Sequence, residues 1–433
     1  MSGTTRLMAL VISCSAASTL AQLKAFPEAE GFGRYATGAR TDLAAAGVYH
    51  VTNLNDAGEG SFRDAVSQPN RFVVFDVGGV VTLSKAVSVK PNLTIAGQTA
   101  PGGITLYGAK VSFTGADNAI VRHLAVRKGT ITPREDAVSI AAGQNMIFDH
   151  LSVTWGNDET FSMNPSRGAT IDRITIQNTI VGQGLDDVNH SAGGLMQPNG
   201  SLSVLRCLFI DNETRNPKVK GTNQFINNVV YNWTIAAYIL GGDSSGRSYA
   251  NISGNYFIAG PSTPPSETPF SRANANFFLS AGDNFYDANR NGQLDGENVP
   301  QAGYGPVTRQ EKPFDFPGVT ADSPQAAFEK VVAQVGPTPG RRDPVDQRMV
   351  DEVKSLGKIG QIVKREKDLF PDFPAPRPPM ARPQDTDNDG MPDAWETANG
   401  ANPNDANDWK TLAPSGYTRL EEYLNALANE SVK

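Results

Sequence analysis

Two segments of this chain nearly superimpose when the sequence is slid along itself: Ile120-Val121-Arg122-His123-Leu124-Ala125-Val126 and Ile147-Phe148-Asp149-His150-Leu151-Ser152-Val153. The pattern extends to Leu93, Ile174, Val204, Phe225 and Ile252, in steps of 27, 27, 27, 30, 21 and 27. Each unit is one short apolar, β-branched segment with a small or polar residue at its fourth position: Ala96, His123, His150, Gln177, Cys207, Asn228 and Asn255. A repeat of this length with one short strand per unit is the signature of a solenoid. No unit is large enough to bury a face alone, so each coil must stack on the next. The expected fold is all-β, a right-handed parallel β-helix, with a helical C-terminal extension and a small calcium-binding module.

The 433 residues supply one large body and a smaller appendage. Gly (42) and Pro (29) suit a turn-rich solenoid. The net charge of -7 argues against a nucleic-acid partner. An anionic ligand would need metal ions or a local basic patch to overcome the overall repulsion.

The N-terminus reads as an export signal over residues 1–21. Arg6 precedes an apolar run, Leu7 to Ser13, followed by small residues to Ala21. The run is too short to span a bilayer. Val11-Ile12-Ser13-Cys14 also resembles a bacterial lipoprotein processing site, so membrane attachment is expected only if Cys14 is lipidated. Without the signal, Cys207 is the one cysteine left, and it reads as a buried core thiol. The β-helix is expected over 25–320 and a helical extension over 321–370. Within the extension, helices are expected from Ser323 to Val335, with Pro324 in the first turn, and from Pro344 to Leu356. A Pro-rich linker follows over 371–383, then the C-terminal module over 384–433, ending in an amphipathic helix from Leu420 to Leu427.

Stacked coils lie about 4.8 Å apart, so residues at equal offsets line one wall. Counted from Ile120, Ile147, Ile174 and Val204, offset 16 holds Asp136, Met163, His190 and Lys220. Offset 11 holds Asp158, with Glu159 next to it, and Arg215. Acid comes from the earlier coils and base from the later ones. Asp136, Asp158 and Glu159 suit a hard cation such as Ca²⁺. Arg215, Lys218 and Lys220 suit carboxylates.

The segments Pro27-Glu28-Ala29-Glu30-Gly31-Phe32-Gly33-Arg34-Tyr35, Ala96-Gly97-Gln98-Thr99-Ala100-Pro101, Asp149-His150-Leu151-Ser152-Val153-Thr154-Trp155-Gly156 and Thr214-Arg215-Asn216-Pro217-Lys218 together make the chain resemble a pectate lyase of polysaccharide lyase family 1. The resemblance covers residues 26 to about 260 and the helical extension. It implies cleavage of polygalacturonate, an acidic plant cell-wall polysaccharide, by calcium-dependent β-elimination in a secreted monomer. It places Arg215 at the catalytic arginine and Lys220 at a substrate-binding arginine. Asp136 falls at the first calcium aspartate and Asp158 at the next acidic ligand. A further family aspartate falls at Ser162, so one ligand is either missing or supplied by Glu159. His190 falls near a substrate-binding lysine, which makes that subsite charge depend on pH. Arginine is a poor base at neutral pH, because its pKa exceeds about 12. The role therefore requires a depressed pKa or an alkaline reaction.

Asp385-Thr386-Asp387-Asn388-Asp389-Gly390-Met391-Pro392-Asp393-Ala394-Trp395-Glu396 fits a calcium loop of the EF-hand type. Its expected ligands are Asp385, Asp387, Asp389, the Met391 carbonyl, Asp393 and Glu396. Asp287 to Glu297 is a weaker version with Asn298 at the twelfth position, and it reads first as a polar turn. His123 and His150 read as a structural polar ladder, and Asn228 with Asn255 as another. His50 reads as ordinary surface. Trp155 and Trp233 are either sugar platforms or core. Two other functions remain open: a hydrolase on the same solenoid using Asp186 and Asp187, or a non-catalytic glycan binder.

Overall fold

The computed structural model describes residues 22–242, 244–375 and 380–432. The signal segment and Cys14 lie outside the described residues. The body is a parallel β-helix with three sheets of 11, 10 and 8 strands. Each coil contributes one strand to each sheet in turn: Gly143–Asp149, then Ser152–Thr154, then Glu159–Met163. Every described strand pairing in these sheets is parallel except the last of the second sheet, where Phe285–Asp287 meets Glu297–Asn298.

The inward rung of the first sheet is Val73, Ile95, Val121, Phe148, Ile176, Val204, Phe225 and Ile252, each paired with the next. All eight belong to one buried core. This corrects the repeat as aligned from sequence. Ile120 does pair with Ile147, but Ile147 pairs with Thr175, and Ile174 pairs with Leu202. A one-residue slip exchanges the faces of a strand. Ile120 and Ile147 accordingly point outward, against Phe26 and Ala29.

The fourth-position residues likewise belong to different rungs. His123, His150, Asn178, Arg206 and Asn227 share the left-handed conformation that turns the chain from the first sheet into the second. The rings of His123 and His150 stack at 4.9 Å and 4°. One residue later runs an asparagine ladder, Asn228–Asn255–Asn284, in which each backbone N–H or amide donates to the next Oδ1. This satisfies buried turn groups, as expected of Asn228 and Asn255. Cys207 is buried in the core, with its pKa pushed up to about 12 by burial.

Two of the three sheets are covered on the outside. The first is crossed by residues 26–35. There Gly33 donates to Thr175 Oγ1 at 2.8 Å, and a Cβ would stand 2.2 Å from the Met146 carbonyl. Only glycine fits that approach. The second sheet is covered by helices Pro324–Gln334 and Pro344–Lys354. Val331, Val345 and Met349 pack there on Ile180, Ile210 and Tyr231. Ser323 and Asp343 cap these helices through their side chains, and Pro at the first turn starts each of them.

The start of the expected linker is part of this cover. Phe373 packs on Trp155 at 4.9 Å and on Tyr107 at 5.0 Å. Trp155 and Trp233 are fully buried, so neither is a sugar platform. The C-terminal helix is longer than its sequence pattern, Arg419–Val432. The third sheet carries a row that includes Ser112, Ser139, Ser162 and Lys218, paired coil to coil through Leu195. This polar row makes it the sheet suited to an extended polar ligand.

Candidate active site

The acidic and basic residues picked out by offset do meet, but by a different register. In the third sheet Val138 pairs with Phe161, and Phe161 pairs with Gly194 after a much longer coil. Turn lengths therefore differ while the strands stay stacked. Met163, at offset 16, pairs with Ile140 and Met196 and belongs to the core. The offset-16 wall does not form. The site lies instead at the corner where coils enter the third sheet.

There the Glu159 N–H donates to Asp136 Oδ1 at 3.1 Å. Carboxylate oxygens of Asp158 and Glu159 and a ring nitrogen of His190 all lie within 4.8 Å of one another. His190 Nε2 stands 3.6 Å from Asp158 and 3.7 Å from Glu159. Expected at a substrate subsite, His190 thus faces the carboxylates. Arg215 forms a salt bridge with Glu159, and Arg134 donates to Asp158 Oδ1 at 2.7 Å. Burial pushes the Asp136 carboxyl up to about 6, helped by the neighbouring Asp158. Its hydrogen bond with Ser162 works the other way.

Arg215 follows the bridge Ala192↔Thr214 and has a φ of 58°. Its carbonyl accepts from Gly194 N–H at 2.6 Å, and the next residue, Asn216, is buried and donates to Asn212 O. A side chain on this backbone is held by the coil beneath it rather than by a flexible loop. Burial lowers its pKa, the positive charges of Arg272 and Arg134 act in the same direction, and Asp158 and Asp136 oppose them.

Lys218 and Lys220 flank the buried Val219, so they share the outer face of the third sheet a short way past Arg215. The N–H of Lys220 donates to Met196 O at 3.2 Å. Sequence offsets missed Arg134, which occupies a turn with no repeat partner, and Arg272, two coils later. Arg134, two residues before Asp136, carried the available signal; Arg272 has no acidic neighbour in sequence and carried none.

The C-terminal loop forms a second acidic centre. Oxygens of Asp385, Asp387 and Asp389 lie within 4.8 Å of one another, and so do those of Asp389, Glu396 and Asp408. Asp393 does not join them. Its carboxylate accepts from the N–H and Oγ1 of Thr386, both at 2.7 Å. Met391 is buried, and its N–H donates to Asp389 Oδ1. Asp408, from outside the loop and absent from the expected set, lies with Asp389 and Glu396. Burial, then the neighbouring carboxylates, raise Glu396 to about 8; burial is also the first cause that lifts Asp389 to about 7.

Raised carboxyls stabilise the fold while protonated and lose that contribution as pH climbs through the folded pKa. In chelator, the melting temperature is therefore expected to fall between about pH 5 and pH 8. A flat profile over that window would contradict it.

The weaker loop repeats this backbone. Arg290 and Gly292 are left-handed, as Asn388 and Gly390 are at the matching positions, and Asp287 is buried. His50, read as surface, bridges Asp76 at 2.9 Å and the Asn388 carbonyl at 3.2 Å.

An arginine and paired carboxylates thus stand together at one corner of a parallel β-helix. No protein-family model matches the chain. It is 47% identical over 430 residues to the "Probable pectate lyase C" of Aspergillus terreus, covering 98% of both chains. It is 46% identical to that of Emericella nidulans, covering 98% of this chain and 97% of the other. The chain belongs to the pectate lyase family. A solved pectate lyase bound to hexasaccharide shares the fold, with a TM-score of 0.52 at 12% identity, over 73% of this chain and 98% of the other. The thermostable pectate lyase PL 47 does so at 0.51 and 15%, again over 73% and 98%. The matched relatives are fungal and give no support to the bacterial lipoprotein reading of Cys14.

Proposed function

We propose that the chain is a secreted, calcium-dependent pectate lyase that cleaves polygalacturonate by β-elimination, with Arg215 as the proton acceptor. The observation that carries this reading is the convergence of Arg215 with Asp136, Asp158 and Glu159 on one corner of the coil. Asp158 and Glu159 offer oxygens within 4.8 Å of each other, and Asp136 stands beside them at the Glu159 N–H, which suits a hard cation. Arg215 pairs with Glu159 and Arg134 with Asp158. Calcium held there would draw charge from the uronate carboxylate and make the adjacent C5 proton more acidic.

The residues divide the remaining work. Neutral Arg215 takes the C5 proton. The electron pair forms the C4–C5 double bond, and the C4–O bond breaks with its pair going to the leaving oxygen, which then gains a proton. Partial burial makes the neutral guanidine more accessible, and the rate should rise with pH as its population grows. Lys218 and Lys220 attract the carboxylates of neighbouring sugars along the third sheet. Lys220→Ala is expected to raise KM several-fold with little change in kcat, an effect that shrinks as salt is added. A fall in kcat with constant KM would remove Lys220 from the binding role.

The deciding experiment is ultraviolet absorbance during reaction with polygalacturonate, with calcium and with a chelator. Growth of the unsaturated product's band, abolished by chelator, supports elimination. New reducing ends without that band would mean hydrolysis and direct attention to Asp186 and Asp187. No product at all would favour a glycan-binding protein.

A further inference from the structure

Among the described residues, six carboxylate oxygens in the C-terminal module are buried with no hydrogen-bond partner: both of Asp387, both of Glu396, Asp389 Oδ2 and Asp408 Oδ1. Glu396 is 0% exposed, Asp389 2% and Asp408 8%. A buried carboxylate without donors is costly, and native proteins rarely keep even one. The two arginines nearby do not resolve this. Arg419 donates to the other oxygen of Asp408 at 2.6 Å, and Arg382 lies 3.7 Å from Asp385 while binding Asp76 at 2.9 Å. Glu396 and Asp387 keep no partner. An all-oxygen set converging within 4.8 Å from two overlapping groups of three side chains is the environment of a hard divalent cation, not of a thiophilic one.

The cage also stands where the module meets the solenoid. Met391 and Trp409, each close in sequence to a cage carboxylate, pack with Leu420 and Leu424 on Phe72 and Ala96 of the first sheet. The rings of Phe72 and Trp409 are 5.5 Å apart. Gly390 lies against Val48 and Val74, where a Cβ would come 3.1 Å and 3.6 Å from their methyl groups. Asn388 receives His50, and Arg40 binds Glu421 on the last helix. The outward face of the first coils is apolar here and needs this cover.

We propose that a calcium ion in this cage, with Asp408 as a ligand alongside Asp385, Asp387, Asp389 and Glu396, is a structural clamp that docks the C-terminal module on the first coils. It is separate from the cation invoked for cleavage. The proposal rests on the loop being a cation site, and adds to it a ligand from outside the loop and a task.

The test uses the full chain, with calcium alone as the probe. Bound calcium is counted by equilibrium dialysis, and docking is followed by thermal unfolding and by release of a C-terminal fragment under limited proteolysis. The wild-type chain should release the fragment in chelator and resist in calcium. Asp408→Asn and Glu396→Gln should each lose one calcium per chain and the calcium-dependent protection. In chelator above about pH 8, Glu396→Gln should be at least as stable as wild type, because that carboxylate has no partner to lose and one repelling charge is gone. A merely structural hydrogen-bonding role would not give that reversal. Asp387→Asn, at a less buried place in the cage, carries the same test if Asp408→Asn does not fold. An Asp408→Asn chain that binds as much calcium and keeps its protection overturns the proposal, as does a wild-type chain indifferent to chelator in proteolysis. Lyase turnover of Asp408→Asn at low temperature in excess calcium should match wild type. Loss of the clamp and failure of the lyase reading are thereby told apart.

Discussion

Replacing Arg215 by alanine is expected to lower turnover on polygalacturonate by about 10²–10⁴-fold, the usual weight of a positioned proton acceptor. The fold and the count of bound calcium should stay unchanged. The residue sits on a coil whose backbone bonds are independent of its side chain: its carbonyl accepts from Gly194, and Asn216 beside it is held by Asn212. Removing the guanidinium takes a partner from Glu159 but adds no bulk. Arg215→Lys separates two roles. An ammonium has a lower reference pKa, about 10.4 against about 12.5 or more. If residue 215 is the base, the alkaline limb of the pH–rate profile should move to lower pH. If it acts only through its charge, the profile should keep its position. Full activity in Arg215→Ala, measured by growth of the unsaturated product, would sink the mechanism.

The fold was legible in the sequence because apolar β-branched segments recur with the coil, and the coil repeats its turn. The face of each strand was not. Ile120 and Ile147 look as core-like as Val121 and Phe148, yet strand alternation faces them outward, and they are apolar because residues 26–35 cover them. Periodicity cannot show which side of a strand a distant segment will cover. The site was legible as a set and misread as a geometry. Asp136, Asp158, Glu159 and Arg215 do converge, while Met163, placed on the same wall by counting, is in the core. Turns of unequal length, short from Val138 to Phe161 and long from Phe161 to Gly194, break a fixed offset without disturbing the stacking. Asp408 was invisible for a related reason. A loop motif specifies residues only within its own span, and tertiary folding brings Asp408 beside Asp389 and Glu396 while the Asp393 carboxylate accepts from Thr386.

The largest stability effect is expected at Arg127, which anchors the helical extension to the second sheet. Its guanidinium is fully buried and donates to Asp343 Oδ1 and Oδ2 at 3.0 and 2.9 Å, to Asp346 Oδ1 at 2.9 Å and to Thr154 Oγ1 at 3.1 Å. Asp346 is 2% exposed and is also bound by Ser152 at 2.6 Å. Arg127→Ala would leave that carboxylate buried without its counter-charge. Breaking one partner of such a pair costs about 3–5 kcal/mol. The loss should appear as a lower urea midpoint and as early hydrogen exchange in residues 344–354. Asp343 also caps that helix, accepting from Val345 and Asp346 N–H. The double variant Arg127→Met/Asp346→Leu should recover much of the loss, since it removes both charges and keeps the volume. If the single variant costs less than about 1 kcal/mol, the extension is held by Val331, Val345 and Met349 alone. Lyase activity should survive at low temperature in either variant, because neither residue reaches the corner that holds Arg215.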